Sequence, residues 1–561
     1  VRAILVLLLI GLAAIAPAAW RQPAAPADLL IVGADIVTME PALPRASAIA
    51  IRGGRIAALG SDRSLVSLQG PSTTVLDAGG RTILPGFVDS HLHLLEYGRS
   101  VTGHSTADLT LDQIEALVRR EARAGRFLRI RGWGAYLPEG RRFPTSELLD
   151  TWAPDAPVVM ERGDGHVALY NSAALRALDI ERLMRLRNAP AGYLERDGSG
   201  RPTGILVEEA NWAAMAEIER LTPDADRRVA VDAALARLRE LGVTSVQNIL
   251  FTPDVLGVYR DLLSRGELTV RIDAAIVGRQ PRAEKEGILK SFGVSPDPDR
   301  LRINASKYFT DGAIGPATGA LIEPYASDPA NRGILQWKDG AELAAYFYDD
   351  LALGLQTMVH AMGDRAIRTA LDAFDEVVRG RGPADYRFRI EHGNMPTPQD
   401  FLRWRRLGVV WSYQPPAWTD RYRAGRARAL GEARLEYTEN VEQFLAHAMP
   451  VAAGSDAPFY VDLNPLVNVA NLAARHAHNT TFPRHVPVAQ ALRMVTIGAA
   501  FAAREEGSRG SLAPGKLADL ILLSANPLDT APDEIRTIRV ERTIVGGRTV
   551  WTREGKSAGL P

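Results

Sequence analysis

The sequence predicts an α/β protein: a (β/α)8 TIM barrel with a small β-sandwich domain built from both termini and an inserted subdomain between barrel strands 1 and 2. Three observations predict it. Eight short apolar runs recur through the middle of the chain, with helical patterns between several of them. Residues 28–84 and 506–561 share another texture, in which alternating apolar residues are broken by Gly-Gly and Gly-Arg turns. The stretch from about 95 to 240 is too long for one loop and carries strand and helix patterns of its own.

Taken in order, residues 1–20, VRAILVLLLIGLAAIAPAAW, set Arg2 before an apolar run from Ile4 to Ala16 and the small-residue pattern Ala16-Pro17-Ala18. This reads as a secretory signal peptide, residues 1–19, cleaved near Ala18 or Ala19, and so predicts a secreted or periplasmic protein. An uncleaved N-terminal membrane anchor is the alternative, but the run is short and is broken by Gly11 and Pro17. Val1 in place of Met reads as a non-ATG start codon. No other segment is long and apolar enough to span a bilayer, so no stable membrane span is expected after cleavage.

After the linker RQPAAPA, the runs DLLIVGADIVTM, ASAIAIRGGRIAALG and STTVLDAGGRTILPG predict the first part of the sandwich, residues 28–84. DLILLSANP and RTIRVERTIVGGRTVWTREG resume that texture and predict its second part, residues 506–561. Residues 85–505 hold the barrel. Its strands are FVDSHLH (87–93), GVTSVQN (242–248), VRIDAAIV (270–277), LRINASKYF (301–309), LQTMVHA (355–361), RFRIEHG (387–393), GVVWSYQP (408–415) and PVAAGSDAP (450–458). The clearest intervening helix spans 364–378, where Ile367, Ala370, Leu371, Phe374, Val377 and Val378 fall at helical spacing behind an Asp364 cap. The insertion holds the strand patterns FLRIRGWG and APVVMERGDG and the helical patterns TLDQIEALVRREARAG and DADRRVAVDAALARLRELG.

Composition narrows the chemistry. The 561 residues are 46% hydrophobic and 24% charged, an ordinary globular balance. Sixty-six basic and 66 acidic residues cancel, so nothing electrostatic recommends nucleic acid as a partner. The absence of cysteine excludes disulfides, thiolate zinc sites, iron–sulfur clusters and cysteine nucleophiles. Any metal must be held by His, carboxylate or modified Lys. Only six basic residues are lysines, at 285, 290, 307, 338, 516 and 556, which points to a GC-rich bacterial genome.

The stretch LPGFVDSHLHLLEYG sets two imidazoles, His91 and His93, two positions apart at the end of the first barrel strand. Residues i and i+2 of a strand share a face, about 6–7 Å apart, so both rings can reach one point. A pair of satisfied polar residues is the competing reading for such a spacing taken alone. The other strand ends supply Lys307 on strand 4, His360 on strand 5, His392 on strand 6 and Asp456 on strand 8. In a TIM barrel those ends line one face, where active sites assemble from different strands.

With these positions filled, the chain resembles the metal-dependent amidohydrolase superfamily, and within it the branch called amidohydrolase family 3, which includes the N-substituted formamide deformylases. The resemblance rests on LPGFVDSHLHLLEYG, RGDGHVALYNSAAL, PTGILVEEA, GVTSVQ, SKYFTDGAIG, VHAMGDRAI, IEHGNMP, GSDAP and GSLAPGKLADLILL, which run in order from about residue 28 to 550. It implies His91, His93, His360, His392 and Asp456 as ligands of one or two divalent cations, zinc being expected. Lys307 matches a strand-4 lysine that is carboxylated and bridges two metals in many members. An ordinary ammonium that pairs with Asp311 or simply orders the strand is the other reading of Lys307, and it favours a single-metal site.

The expected reaction is hydrolysis of a C–N bond (amide, formamide or cyclic amide) in a small-molecule substrate. Zinc lowers the pKa of bound water from 15.7 to roughly 7 and polarises a carbonyl. Asp456 would act as catalytic general base and then acid. An ester or lactone hydrolase, or a non-catalytic barrel that binds a ligand, are the alternatives, since fold alone does not establish activity. His166, Trp133 and Asp311 are candidate substrate-binding residues, each with a structural role as the competing reading. His476 and His478 repeat the two-residue spacing after strand 8 and read as a solvated face, and His104, His447 and His485 have no supporting motif. The segment DGAIGPATGAL departs from the family texture, with Ala313 and Ala317 where a serine and an Arg-Thr pair are expected, so substrate preference does not carry over. A homo-oligomer is compatible with the sequence and not specified by it.

Overall fold

The computed structural model describes residues 25–553 except 107–108, 134–144, 188–191, 419, 436–437, 439, 461–462 and 475–484. The signal-peptide reading at 1–19, the His476/His478 pair and the side chain of Trp133 lie outside the described residues.

Eight parallel strands make one nearly closed sheet: β1 (Phe87–Leu92), β2 (Val243–Ile249), β3 (Arg271–Val277), β4 (Leu301–Phe309), β5 (Gln356–Ala361), β6 (Arg389–His392), β7 (Val410–Tyr413) and β8 (Val451–Ala453). They are the eight runs read from the sequence, in the same order. Most are buried along their whole length, as strands packed inside a barrel and covered by helices outside must be. The register sets Phe309 opposite His360 and Ala361 opposite His392. Loop residues after β8 close the seam to β1: the Asp456 amide donates to the His91 carbonyl at 2.7 Å and the Ser455 amide to Asp89 Oδ1 at 3.0 Å. At Gly454 a Cβ would lie 2.4 Å from the His91 nitrogen, so only glycine lets the two segments meet.

Helices Leu94–Thr102 and Asp224–Glu240 cross on the outside of β1 and β2. The second, which ends the long stretch between β1 and β2, buries Ala230, Val231, Ala234, Leu235 and Leu238 in the main hydrophobic core of the barrel. Where the two helices cross, a Cβ on Gly98 would come 1.9 Å from the Ala230 carbonyl oxygen. Gly98→Ala is therefore expected to force the pair apart and to cost about 1–3 kcal/mol, the usual penalty for overpacking. A denaturant titration checks this, and an unchanged midpoint would mean that the crossing has slack.

One expected detail changes. The helix after β5 runs Asp364–Arg381, with extended Gly363 at its N-cap. Asp364 is thus its first helical residue instead of its cap, and its carboxylate accepts from the Ile322 amide at 2.8 Å, tying down the loop after β4.

Between the two crossing helices lies a six-stranded sheet in the order Gly192–Arg196, Pro202–Glu208, Val167–Tyr170, Val158–Arg162, Leu128–Trp133, His104–Ser105. Alternation along its strands sends Val158 and Met160 to one hydrophobic cluster and Val159 to another, so both faces are covered. At the other end of the barrel sit a four-stranded sheet of N-terminal strands and a six-stranded sheet of mixed origin. In the latter, Thr82–Pro85 pairs antiparallel with Leu520–Leu523. Ile31, Ile49, Ile83, Leu520 and Ile544 fill one shared core. This double layer is joined to the barrel floor by Arg271, whose guanidinium makes two bonds to Asp519, at 2.6 and 2.8 Å, in a nearly fully buried pair.

Candidate metal centre and active site

β1 delivers His91 within the strand and His93 just after it, both on the barrel's open end and both buried. β8 delivers Asp456 on the turn that closes the seam. Asp456 Oδ1 lies 3.4 Å from His91 Nε2 and 3.3 Å from His93 Nε2. One ligand atom from each of these three residues falls within 4.8 Å of the other two. His360 and His392, from the ends of β5 and β6, stand beside them with ring centroids 4.4 Å apart, and His392 Nδ1 is 3.9 Å from Asp456 Oδ2. Asp456 and His392 both hold left-handed backbone, at φ 53° and 69°. That conformation is uncommon outside glycine and typical of sites where geometry is dictated by function.

Lys307 comes from β4, almost fully buried, and its Nζ has no hydrogen-bond partner. The pairing with Asp311 considered from the sequence is absent. Asp311 instead accepts from the amides of Ala320, Met362 and Gly363 at 2.8–3.0 Å. Burial raises its carboxyl to about 7. One oxygen is 3.5 Å from His360 Nε2, which also meets the Gly312 carbonyl at 3.0 Å. Asp311 is therefore not on the cavity wall. It shapes the loop that holds His360.

All six strand-end residues, His91, His93, Lys307, His360, His392 and Asp456, line one cavity of about 430 Å³. Burial keeps the imidazoles neutral: His93 is pushed down to about 4, and His91, His360 and His392 are also lowered, with the Lys307 charge adding to burial in each case. Burial favours the protonated form of Asp456, but His91, His93 and Lys307 outweigh it and hold this carboxyl below its ordinary range. Neutral imidazoles and an ionised carboxylate are the forms that bind a cation. Burial also lowers the Lys307 ammonium to about 8. His392 Nδ1 joins Lys307 Nζ as a buried polar atom without a partner. A divalent cation fits this set, since it would satisfy donors that the protein leaves open.

The inserted sheet forms the opposite wall. His166 faces the cavity with its ring centroid 5.7 Å from that of His360, and its Nδ1 bonds Glu208 Oε2 at 2.9 Å. Burial disfavours a charged ring there, but Glu208 prevails and lifts His166 to about 9. Phe251 stacks on His93 at 4.7 Å, Phe459 meets its edge at 4.8 Å, and Phe309 and Trp212 continue the apolar wall. Of the histidines without a motif, His104 lines the cavity while His447 is exposed and bonds the Gln443 carbonyl.

Sequence reasoning missed Glu391, Arg389 and Glu208. Arg389 and Glu391 alternate with apolar Ile390 in β6 and with Phe388 just before it, which aims both charges into the barrel. Two buried charges at one parity in an apolar strand signal a paired site. Glu208 carries a similar mark, complete burial with left-handed backbone at φ 53°.

The Amidohydrolase family matches residues 74–551. The chain is 30% identical over 552 residues to Protein LONG AFTER FAR-RED 3 of Arabidopsis thaliana, across 94% of this chain and 92% of that protein. It is 29% identical over 568 residues to N-substituted formamide deformylase of Arthrobacter pascens, across 94% of this chain and 99% of that protein. Among solved structures it resembles an uncharacterized metal-dependent hydrolase from Pyrococcus furiosus at 25% identity and a TM-score of 0.70, across 89% of this chain and all (100%) of the other.

Proposed function

Because the chain belongs to the amidohydrolase family, we propose that it hydrolyses a C–N bond, in an amide, formamide or cyclic amide of a small molecule, with the help of a divalent cation. The observation that carries the reading is the meeting of His91, His93 and Asp456, one ligand atom of each within 4.8 Å of the others, at a single cavity. His91, His93 and Asp456 would hold one cation, expected to be zinc. His360 and His392, with Lys307 as free or carboxylated amine, would hold a second or complete the first. A bound cation supplies Lewis acidity, which activates water and polarises a carbonyl.

The chain's own groups do the rest. Asp456 takes a proton from the attacking water and returns it to the departing nitrogen, as base and then acid. Its carboxylate is ionised in the resting site, which suits the first of these steps. Phe251, Phe309, Phe459 and Trp212 exclude bulk water from the reacting centre. His166 faces the substrate from the insertion, held in place by Glu208. Residues 1–19 are proposed to direct export to the periplasm or beyond, and sequencing the mature N-terminus tests that. No helix among the described residues is long and apolar enough to cross a membrane.

The test of the reaction is a screen of N-formyl and N-acyl amines, cyclic amides, esters and lactones, run with metal analysis before and after chelation. Amide hydrolysis is expected to vanish on metal removal and to return on adding zinc. Hydrolysis that survives complete metal removal would overturn the mechanism, and turnover of esters or lactones alone would move the reaction to a different bond.

A further inference from the structure

Beneath the three converging donors lies a charge pair for which the reaction as described has no use. Glu391 is fully buried, and Arg389 beside it is 1% exposed. Arg389 Nε reaches Glu391 Oε1 at 2.9 Å and its Nη2 reaches Oε2 at 3.1 Å. The same guanidinium donates to the Ser90 carbonyl at 2.8 Å and contacts the Gln247 side chain, so it spans β6, β1 and β2. Such a pair could be no more than a plug for the barrel interior. The third partner argues otherwise: Glu391 Oε2 also meets His91 Nδ1 at 2.6 Å.

An ionised carboxylate can only accept a hydrogen bond. Arg389 can only donate, and its two bonds, one to each oxygen, hold Glu391 as a carboxylate, which leaves it the acceptor toward His91. The hydrogen on His91 is therefore on Nδ1, and the lone pair is left on Nε2, the atom that faces Asp456 at 3.4 Å. His93 is held differently. Its Nδ1 has no partner, and its ring is set by Phe251 and Phe459. One histidine of the pair is thus oriented by charge and the other by packing.

We propose that Glu391, clamped by Arg389, is the positioning residue that fixes the tautomer and ring angle of His91, so that Nε2 is presented to the cation. This rests on the cation reading of the site. Carboxylates placed behind a ligating imidazole typically contribute ten- to a hundredfold in metal affinity.

Glu391→Gln keeps shape and volume but replaces the obligate acceptor with an amide. The purified full chain is stripped of metal and titrated with zinc or cobalt by equilibrium dialysis, alongside Glu391→Asp, with circular dichroism as the fold control. The expected result is a ten- to a hundredfold weaker cation affinity in Glu391→Gln at unchanged secondary structure. A visible cobalt spectrum altered from wild type is also expected, with affinity partly restored in Glu391→Asp. A folded Glu391→Gln that binds cation as tightly as wild type overturns the proposal. Should Glu391→Gln fail to fold, a Glu391→Asp protein with wild-type affinity and cobalt spectrum overturns it, whereas one with weakened affinity supports it. A wild-type chain that takes up no cation at all would instead bring down the functional reading itself.

Discussion

Replacing Asp456 by Asn is expected to lower turnover by roughly a hundred- to ten-thousandfold while leaving the fold and most of the bound metal in place. The magnitude is what a positioned acid–base group contributes. Structure should survive because Asn tolerates left-handed backbone, which residue 456 holds at φ 53°, and because its backbone amide still bonds the His91 carbonyl. Metal should be retained because His91 and His93 are untouched and an amide oxygen can still ligate. Steady-state kinetics on the best substrate, paired with metal analysis, decides the matter. Turnover within tenfold of wild type would remove Asp456 from proton transfer. Loss of metal together with activity would make it chiefly a ligand.

The second large effect is on stability and arises on the outer side of the same strand that carries Lys307. Alternation along β4 points Lys307 and Phe309 into the barrel and sends Ser306 and Tyr308 outward. Outside, Lys285 and Asp350 come from helices Arg282–Phe292 and Gly340–Ala352 and pair at 2.6 Å with both side chains fully buried. Tyr308 bonds each of them at 2.7 Å, and Ser306 bonds Asp350 at 2.8 Å. Asp350→Ala would strand an ammonium in the interior and is expected to cost about 3–5 kcal/mol, measurable by chemical denaturation. The double variant Lys285→Met/Asp350→Leu should recover much of that loss, because removing both charges also removes the need for desolvated partners. If Asp350→Ala were as stable as wild type, water would have to reach this cluster.

The barrel was legible because apolar runs carry, at or near their ends, polar side chains that face the open rim. VDSHLH, KYF, VHA, IEH and GSD each show it, so the strand order and the strand-end side chains could be read together. Legibility stopped where a side chain's partner is remote in sequence. Glu391 meets His91 across 300 positions, and nothing near IEHG announces the contact. Asp311 was misleading for a related reason. Its position four residues after Lys307 suggests the cavity, yet the loop beyond β4 folds back and three amides claim its oxygens. Asp364 looked like a cap because it opens the helical pattern, but a carboxylate serves where amides are left open, and the neighbouring loop offered one. The insertion presented its strands locally, while the docking of His166 over the cavity depends on pairing with Glu208, 42 positions away.

The bidentate contact between Arg271 and Asp519 has a consequence for anyone wishing to graft this catalytic scaffold elsewhere. Arg271 opens the third barrel strand, and its counter-ion belongs to the chain's closing segment. A version ending at residue 505 would keep every rim histidine and still lack the group that neutralises a guanidinium sealed in its base. The hydrolytic unit is thus not a portable cassette: its tail is as much a part of it as its ligands are.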